Sequence, residues 1–208
     1  MADASRRQVL QTTALGTLMF TKLARAAAAP DIRFDFARPL EGWKTVSGSW
    51  AIAEVPGAIQ KGSALVQSAT TNAFNVIVAP GGPYTNVEVS VRFKPICGRE
   101  DASGGIVFRF SDGRYYVIRV NALEDNFNFY YYDRRRYQIA GVRVKAPALG
   151  AWHKLRITAI DDRIEGWVND ALLISQRDNH FASGQIGLWT KADSVTAFDE
   201  LVVRPGPG

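Results

Sequence analysis

The sequence predicts an all-β fold, an antiparallel sandwich of two sheets, for most of the 208-residue chain. From residue 31 onward, short runs alternate between apolar and polar residues, and none has the period of a helix. Turn residues separate these runs at near-regular spacing, which gives about a dozen strands. Such a pattern is typical of a sandwich or barrel, whereas alternating strands and helices would indicate a parallel sheet.

The first 29 residues do not follow this pattern. Arg6 and Arg7 form a basic start, residues 14–20 are a short apolar run, and residues 24–29 include small residues that suit cleavage. The apolar run is too short to cross a bilayer, which needs roughly 20 residues. Residues 1–29 are therefore predicted to be an export signal, with an amphipathic first helix as the alternative.

The stretch SRRQVL, residues 5–10, resembles the twin-arginine export motif. This resemblance implies a bacterial protein in the periplasm or the medium. The formal net charge of the chain is +5, but the predicted signal carries four basic residues and one acidic residue. The remaining net charge of about +2 is too small to favour nucleic acid or an anionic membrane as a partner of the mature protein.

Residues 30–204 are predicted to form one domain, because domains commonly contain about 100–200 residues, and residues 205–208 a short tail. The first strands are expected in IRFDFARPLEGWKTVSGSWAIAE, where a loop separates two apolar runs. Three short strands follow, at residues 64–69, 75–78 and 86–93, with TTN and PGGPY as turns. Cys97 is the single cysteine, and it is expected to be buried because Ile96 precedes it at the end of an apolar strand.

A four-strand meander is the clearest part of the pattern. Its runs are GIVFRF, YYVIRVNAL, FNFYYYD and YQIAGVRV, with turns at SDGR, EDN and RRR. Asp112-Gly113 between two alternating runs is a strong hairpin signal. The last predicted strands are HKLRITAI, IEGWVN, LLISQRD, QIGLWTKAD and SVTAFDELVV.

The C-terminal third carries a resemblance to a known superfamily. Its recurring pieces are Trp152-His153, a hairpin ending in WVN, the Gly187-Leu188 step and the Phe198-Asp199 pair. These pieces and the central YYVIRVNALE run resemble concanavalin A-like lectin/glucanase jelly rolls, closest to 3-keto-disaccharide hydrolase and laminin-G-like domains. The resemblance implies a jelly roll, a fold that serves both lectins and enzymes.

The sequence departs from the family 16 glucanases of this fold, since it has no E-x-D-x-x-E run. The nearest acidic cluster, residues 161–165, spans a predicted hairpin turn. Retaining glycosidases hold two carboxyl groups about 5 Å apart, and a solvated turn is a poor place to fix them. A hydrolase of 3-keto sugars, in which a carboxylate or His assists a water, remains an alternative. A non-enzymatic adhesion or interaction module is a second alternative.

Strand alternation divides residues 105–132 and 186–191 into two faces. One is apolar, and Ile106, Phe108 and Phe110 lie on it. The other carries the candidate ligand-binding residues Arg109, Arg119, Asn121, Tyr130, Trp189 and Lys191. Such a face suits a carbohydrate, because sugar C–H faces stack on rings and hydroxyls need planar polar partners. An ordinary solvated sheet face is the alternative.

Asp35 and Asp199, near the two ends of the domain, are candidate ligands for a structural calcium ion. A turn-capping role for Asp199 is the simpler interpretation. No other cofactor is expected, because zinc-ligand spacing, nucleophile elbows and phosphate-binding loops are missing. The basic run 134–136 is predicted to be a solvated turn and not a nucleic-acid site.

Overall fold

The computed structural model describes residues 29–60 and 62–206, and this part of the chain contains fifteen strands and no helix. The predicted all-β fold is confirmed. The strands are β1 (Ile32–Phe34), β2 (Lys44–Ser47), β3 (Trp50–Glu54), β4 (Ser63–Gln67), β5 (Phe74–Val78), β6 (Val87–Cys97), β7 (Ser103–Ser111), β8 (Arg114–Asn121), β9 (Asn126–Asp133), β10 (Arg135–Arg143), β11 (His153–Ile160), β12 (Arg163–Val168), β13 (Ala171–Arg177), β14 (Gln185–Lys191) and β15 (Val195–Pro205).

The strands form two antiparallel sheets. The eight-stranded sheet has the order β13-β12-β11-β6-β15-β4-β3, with β1 also paired to β15. The seven-stranded sheet has the order β10-β9-β8-β7-β14-β5-β2. Several neighbours are distant in sequence, such as β14 between β7 and β5, so the chain crosses repeatedly between the sheets. This arrangement is the jelly-roll sandwich that the sequence predicted.

The core lies between the two sheets. The eight-stranded sheet contributes side chains such as Val89, Phe93 and Leu155, and the seven-stranded sheet contributes Phe108 and Ile118, all completely buried. Burying one such side chain stabilises the fold by about 1.5–3 kcal/mol. The alternation that the sequence shows is thus produced by one face of each sheet packing inward.

The predicted meander is confirmed in β7 to β10, which are consecutive neighbours in the seven-stranded sheet. Ser111 and Arg114 pair across the first turn, with Asp112 (φ 51°) and Gly113 (φ 79°) between them. A two-residue turn with positive φ at both positions matches the right-handed twist of the strands, which explains the Asp-Gly pair.

The alternation fails at one point in β7. The β7–β8 register shifts between Phe108 and Ser111, and Arg109 at this bulge has φ 51°. A bulge adds one residue to a strand and therefore exchanges the two faces beyond it. Phe110 consequently packs with Val107 on the outer face, and its prediction as a core residue beside Phe108 was wrong.

The prediction that Cys97 is buried was also wrong. Cys97 and Ile96 are exposed, although Cys97 still pairs with Val195. Both residues end β6, where the strand continues after its last core side chain, Phe93. A single apolar residue at a strand end needs no burial, so Ile96 was a poor guide.

The predicted export signal lies outside the described residues, except for Ala29. None of the residues that the structure describes forms a helix with the length and apolar character needed to span a bilayer.

Candidate functional site

The outer face of the seven-stranded sheet carries most of the predicted ligand-binding residues. Across this face, Arg119 on β8 is paired with Gly105 on β7, and Gly105 is paired with Trp189 on β14. A Cβ atom added at Gly105 would lie 3.0 Å from both the Arg119 Cβ and the Ile118 carbonyl oxygen. Because Gly105 has no side chain, the large side chains of Arg119 and Trp189 can lie on either side of it.

This face is not an ordinary solvated one. It carries a second buried apolar cluster, separate from the core, and Phe74 and Tyr132 pack against it. The cluster consists of Val76, Val78, Val107, Phe110, Tyr115, Val117, Tyr130 and Trp189. The rings of Phe74 on β5 and Tyr132 on β9 contact each other at 5.9 Å, although three strands lie between β5 and β9. The sheet is therefore strongly curved, and this face is its concave side.

Arg119 is the centre of a polar network on this face. Its guanidinium donates to Asn126 Oδ1 (2.5 Å), to Glu124 Oε2 (3.2 Å) and to the Tyr130 hydroxyl (3.4 Å). Partial burial would raise the pKa of Glu124, but the Asn126 hydrogen bond and the charges of Arg119 and Lys191 outweigh it and lower that pKa. Glu124 is therefore a carboxylate at neutral pH.

Asp101 connects Asn121 to Lys191. Its buried carboxylate accepts hydrogen bonds from Asn121 Nδ2 (3.1 Å) and Ser194 Oγ (3.0 Å), and Lys191 Nζ lies 3.6 Å away. Asn121 Oδ1 accepts from the backbone N–H of Leu123 (2.9 Å). The Asn121 amide is thus occupied by contacts within the protein, while the Lys191 side chain keeps a third of its surface exposed.

Arg109 does not join the other five residues. Because of the bulge in β7, its guanidinium donates to three backbone carbonyl groups, those of Phe181 (2.8 Å), Thr85 (3.0 Å) and Asp161 (2.5 Å). Burial lowers the pKa of Arg109, and the nearby charges partly oppose this effect. Arg109 ties three chain segments together, so its prediction as a ligand-contacting residue on this face has no geometric support.

Four of the predicted residues form the floor of the face. Arg119, Asn121, Tyr130 and Trp189 are each at most 5% exposed. Aromatic side chains near the surface are instead Phe74 and Tyr132, both partly exposed. Strand alternation places Tyr132 on the same face as Tyr130, but it gives no sign that the neighbouring residues are covered.

A groove opens beside this floor, between β2, the β7–β8 turn and the loop before β14. It consists of two adjoining cavities of about 590 and 460 Å³ that share Val46, Phe110 and Gly113 as lining residues. The larger one is polar along Lys44, Ser111, Asp112 and Gln185. The smaller one is aromatic along Phe74, Tyr115 and Tyr132. A cleft of this size with rings and a few polar groups is typical of small-ligand sites.

The two predicted calcium ligands have partners within the protein. Asp199 is completely buried, and its Oδ2 accepts from Arg92 Nη1 (2.7 Å) and from the backbone N–H of Ile59 (2.8 Å). Asp35 is exposed and accepts from the backbone N–H of Ala37 (3.1 Å). Residues 29–60 and 62–206 contain no group of three His, Cys, Asp or Glu side chains that could hold a metal ion. The calcium ion stays a prediction.

Asp178 organises the loop before β14. Its carboxylate accepts from the Tyr116 hydroxyl, from the backbone N–H of His180 (3.1 Å) and from His180 Nδ1 (2.8 Å). Burial would raise the pKa of Asp178, but these hydrogen bonds outweigh it and lower that pKa. The His180 ring stacks on Tyr131 at 4.1 Å. These contacts give His180 a structural role in the loop.

Comparison with solved structures supports the jelly-roll assignment. The chain is similar to the carbohydrate-binding module CBM66 of Bacillus subtilis, with 21% identity and a TM-score of 0.68, covering 78% of this chain and 95% of that one. It is similar to a Bacillus subtilis protein of unknown function with a galectin-like fold, with 12% identity, a TM-score of 0.67 and coverage of 86% and 97%. It is also similar to the Bacillus licheniformis β-glucanase, with 14% identity, a TM-score of 0.58 and coverage of 86% and 99%.

No curated protein sequence matches this chain. Residues 34–204 match the 3-keto-alpha-glucoside-1,2-lyase-like domain, and this range contains the polar network, the groove and strands β2 to β14. The resemblance to the 3-keto-disaccharide hydrolase domains that the C-terminal third predicted is therefore confirmed. The chain belongs to the family of 3-keto-alpha-glucoside-1,2-lyase-like domains.

Proposed function

We propose that this protein is an exported carbohydrate-binding module whose ligand occupies the groove beside the concave face. The observation that carries the proposal is the pair of partly exposed rings, Phe74 and Tyr132, next to the polar wall of Lys44, Asp112 and Gln185. A sugar ring has an apolar C–H face and a rim of hydroxyl groups. Such a ligand matches an aromatic wall on one side and hydrogen-bonding groups on the other.

The similarity to a carbohydrate-binding module supports this proposal at the level of the fold. Folds of this kind serve many functions, so the groove and not the fold has to supply the argument. The two cavities share three lining residues, so the groove continues from the aromatic end near Tyr132 to the polar end near Gln185.

Calorimetric titration with a panel of neutral and acidic oligosaccharides tests the proposal. We expect Tyr132→Ala to weaken binding at least about fivefold, because a stacked ring contributes about 1 kcal/mol beyond its buried area. Tyr137→Ala is the matched control, since Tyr137 stacks on Tyr131 and not on the concave face. Absence of binding to every saccharide, or equal losses in both variants, would contradict the proposed site.

Export is a separate part of the proposal, based on Arg6 and Arg7. Replacing both with Lys should retain the protein in the cytoplasm of a bacterial host, while the unchanged sequence should yield a shortened protein outside it. Mass measurement of the mature protein distinguishes these outcomes. Unaltered export of the Lys variant would exclude the twin-arginine route.

Turnover of a 3-keto glycoside is the second candidate function, and family membership favours it. In a 1,2-elimination, a base removes the C2 proton, which the neighbouring ketone acidifies. The C1–O bond then breaks, a C1=C2 double bond forms, and the leaving oxygen takes a proton. Glu124 is the residue we assign as the base, because it is a partly exposed carboxylate beside the candidate face and is deprotonated at neutral pH. Sequence reasoning had not singled out Glu124.

Incubation with a 3-keto glucoside, followed by ultraviolet absorbance of the enone and by release of the second sugar, tests this candidate. Glu124→Gln should abolish turnover, and Glu165→Gln, at the β11–β12 hairpin, should not. Turnover that survives Glu124→Gln would remove that residue from the role. Absence of turnover in the unaltered protein would exclude the enzyme and leave the binding proposal intact.

A further inference from the structure

Three side chains close the concave face from above. Besides the Phe74–Tyr132 contact, the Arg136 guanidinium of β10 lies 5.2 Å from the Phe74 ring and 4.3 Å from the Tyr130 ring. In a flat sheet, the four strand spacings from β9 to β5 would separate Tyr132 from Phe74 by roughly 19 Å. Phe74, Tyr132 and Arg136, called the clasp below, therefore span the groove from one side of the sheet to the other.

Beneath the clasp, three hydrogen-bond donors have no acceptor. Nε of Arg119, Nη1 of Arg136 and Nε1 of Trp189 are buried and have no hydrogen-bond partner. The Tyr115 hydroxyl interacts with the Trp189 indole, but the pair lacks the geometry of a hydrogen bond. Tyr130, between the two arginines, already accepts from Asn128 Nδ2 (2.9 Å) and from Arg119.

Guanidinium and indole N–H groups can only donate, so no rearrangement among these groups satisfies them. An unsatisfied buried donor is costly, and an acceptor supplied by a ligand would relieve that cost. The distribution of charge also favours a ligand with a negative charge. Arg119 is paired with Glu124 and Lys191 with Asp101, whereas Arg136 forms no salt bridge with any residue that the structure describes.

We propose that the unpartnered donors under the clasp bind the carboxylate of an acidic sugar residue, a uronate. This inference rests on the proposed carbohydrate-binding function and specifies its ligand class. A carboxylate is planar and accepts two parallel hydrogen bonds from a guanidinium, which suits the unpaired Arg136. The sugar ring then lies against Phe74 and Tyr132, which must separate to admit it.

The test compares oligosaccharides that differ only at C6. Cellotriose and α-1,4-galactotriose are titrated beside their C6-carboxylate forms, with a C6-sulfated form as a further arm. We expect each carboxylate to bind at least about tenfold more tightly than its neutral partner, because hydrogen bonds between charged groups are roughly twice as strong as neutral ones. Sulfated sugar that binds more tightly than the carboxylate would overturn the assignment to a uronate.

Arg136→Gln should reduce the affinity for the carboxylate to that for the neutral sugar. Arg135→Gln is the matched control, because Arg135 is exposed and contacts Tyr137. Trp189→Phe removes one donor and keeps a ring; it should weaken binding of the carboxylate more than binding of the neutral sugar. Equal affinity for neutral and acidic sugars would overturn this inference alone, whereas failure of all saccharides to bind would overturn the proposed function as well.

Discussion

Replacing Asp199 on β15 distinguishes a buried ion pair from a metal site. In Asp199→Ala, Arg92 and the Ile59 N–H lose the carboxylate oxygen that accepts both hydrogen bonds. A hydrogen bond involving a charged group contributes about 1.5–3 kcal/mol. The Arg92 side chain is 23% exposed and can turn toward water, so the loss of its hydrogen bond should cost an amount at the low end of that range. We expect the free energy of unfolding to fall by about 3–4 kcal/mol in total.

Asp199→Asn is the matched variant, because it keeps one oxygen of the same size for both donors, removes the charge and replaces the second oxygen with an NH2 group. Its cost should be about 1–2 kcal/mol. For a domain of this length, each kcal/mol shifts Tm by about 2–4 °C, so the Ala variant should melt about 6–16 °C below the unaltered protein. Urea unfolding followed by tryptophan fluorescence measures both differences.

Measurements with added calcium or with a chelator test the alternative, a metal site at Asp199. The Oδ1 atom of Asp199 is buried without a hydrogen-bond partner, and it is the atom a cation would contact. If added calcium raises Tm in the unaltered protein and in neither variant, the predicted metal site is correct. An Ala variant within about 0.5 kcal/mol of the unaltered protein would refute the ion-pair reasoning, since that difference is typical of an unimportant surface change.

Three further predictions follow from local geometry. Gly187→Ala should destabilise the protein by about 3 kcal/mol in urea unfolding, because its Cβ would lie 2.4 Å from the Ile77 carbonyl oxygen; a cost near zero would show that the two strands can separate freely. Because hydrogen bonds lower the pKa of folded Asp178 below its ordinary value of 3.8, that residue stabilises the fold above this value and loses its contribution as the pH falls through the lowered pKa. Tyr116→Phe should flatten that part of the acid profile of the urea midpoint, and an unchanged profile would contradict the assignment. Cys97 should react with a thiol reagent in the folded protein with one thiol per chain, and reaction only after unfolding would contradict its exposure.

The sequence predicted the fold well because its signals are local. Strand alternation depends on neighbouring residues, and the Asp112-Gly113 turn depends on two backbone conformations that these residue types favour. The bulge at Arg109 was not predicted, since an arginine with positive φ inside an apolar run leaves no compositional trace. One inserted residue then moved Arg109 out of the candidate face and Phe110 onto it.

The candidate face was predicted only in part, because some of its contacts join residues that are far apart in the sequence. Alternation correctly grouped Arg119, Tyr130 and Trp189, since each position follows from its own strand. Whether they touch solvent depends on Phe74 and Tyr132, which lie 58 positions apart in the sequence and meet only because the sheet curves. No pattern within one strand encodes that contact.

The curvature also changes what the buried arginine implies. On a flat, solvated sheet, Arg119 would be an ordinary surface cation whose contacts contribute little. Enclosed under the clasp with an unpartnered Nε, it is instead a donor that the protein leaves unsatisfied. Natural proteins rarely bury such groups without a reason, and in a face that also contains a groove the most economical reason is a ligand with acceptors. An unpartnered Nε does not by itself mark a binding residue, because buried Arg109 has one too. The two arginines differ in position: the Arg109 guanidinium ties three backbone carbonyl groups together, whereas Arg119 lies on the face beside the groove.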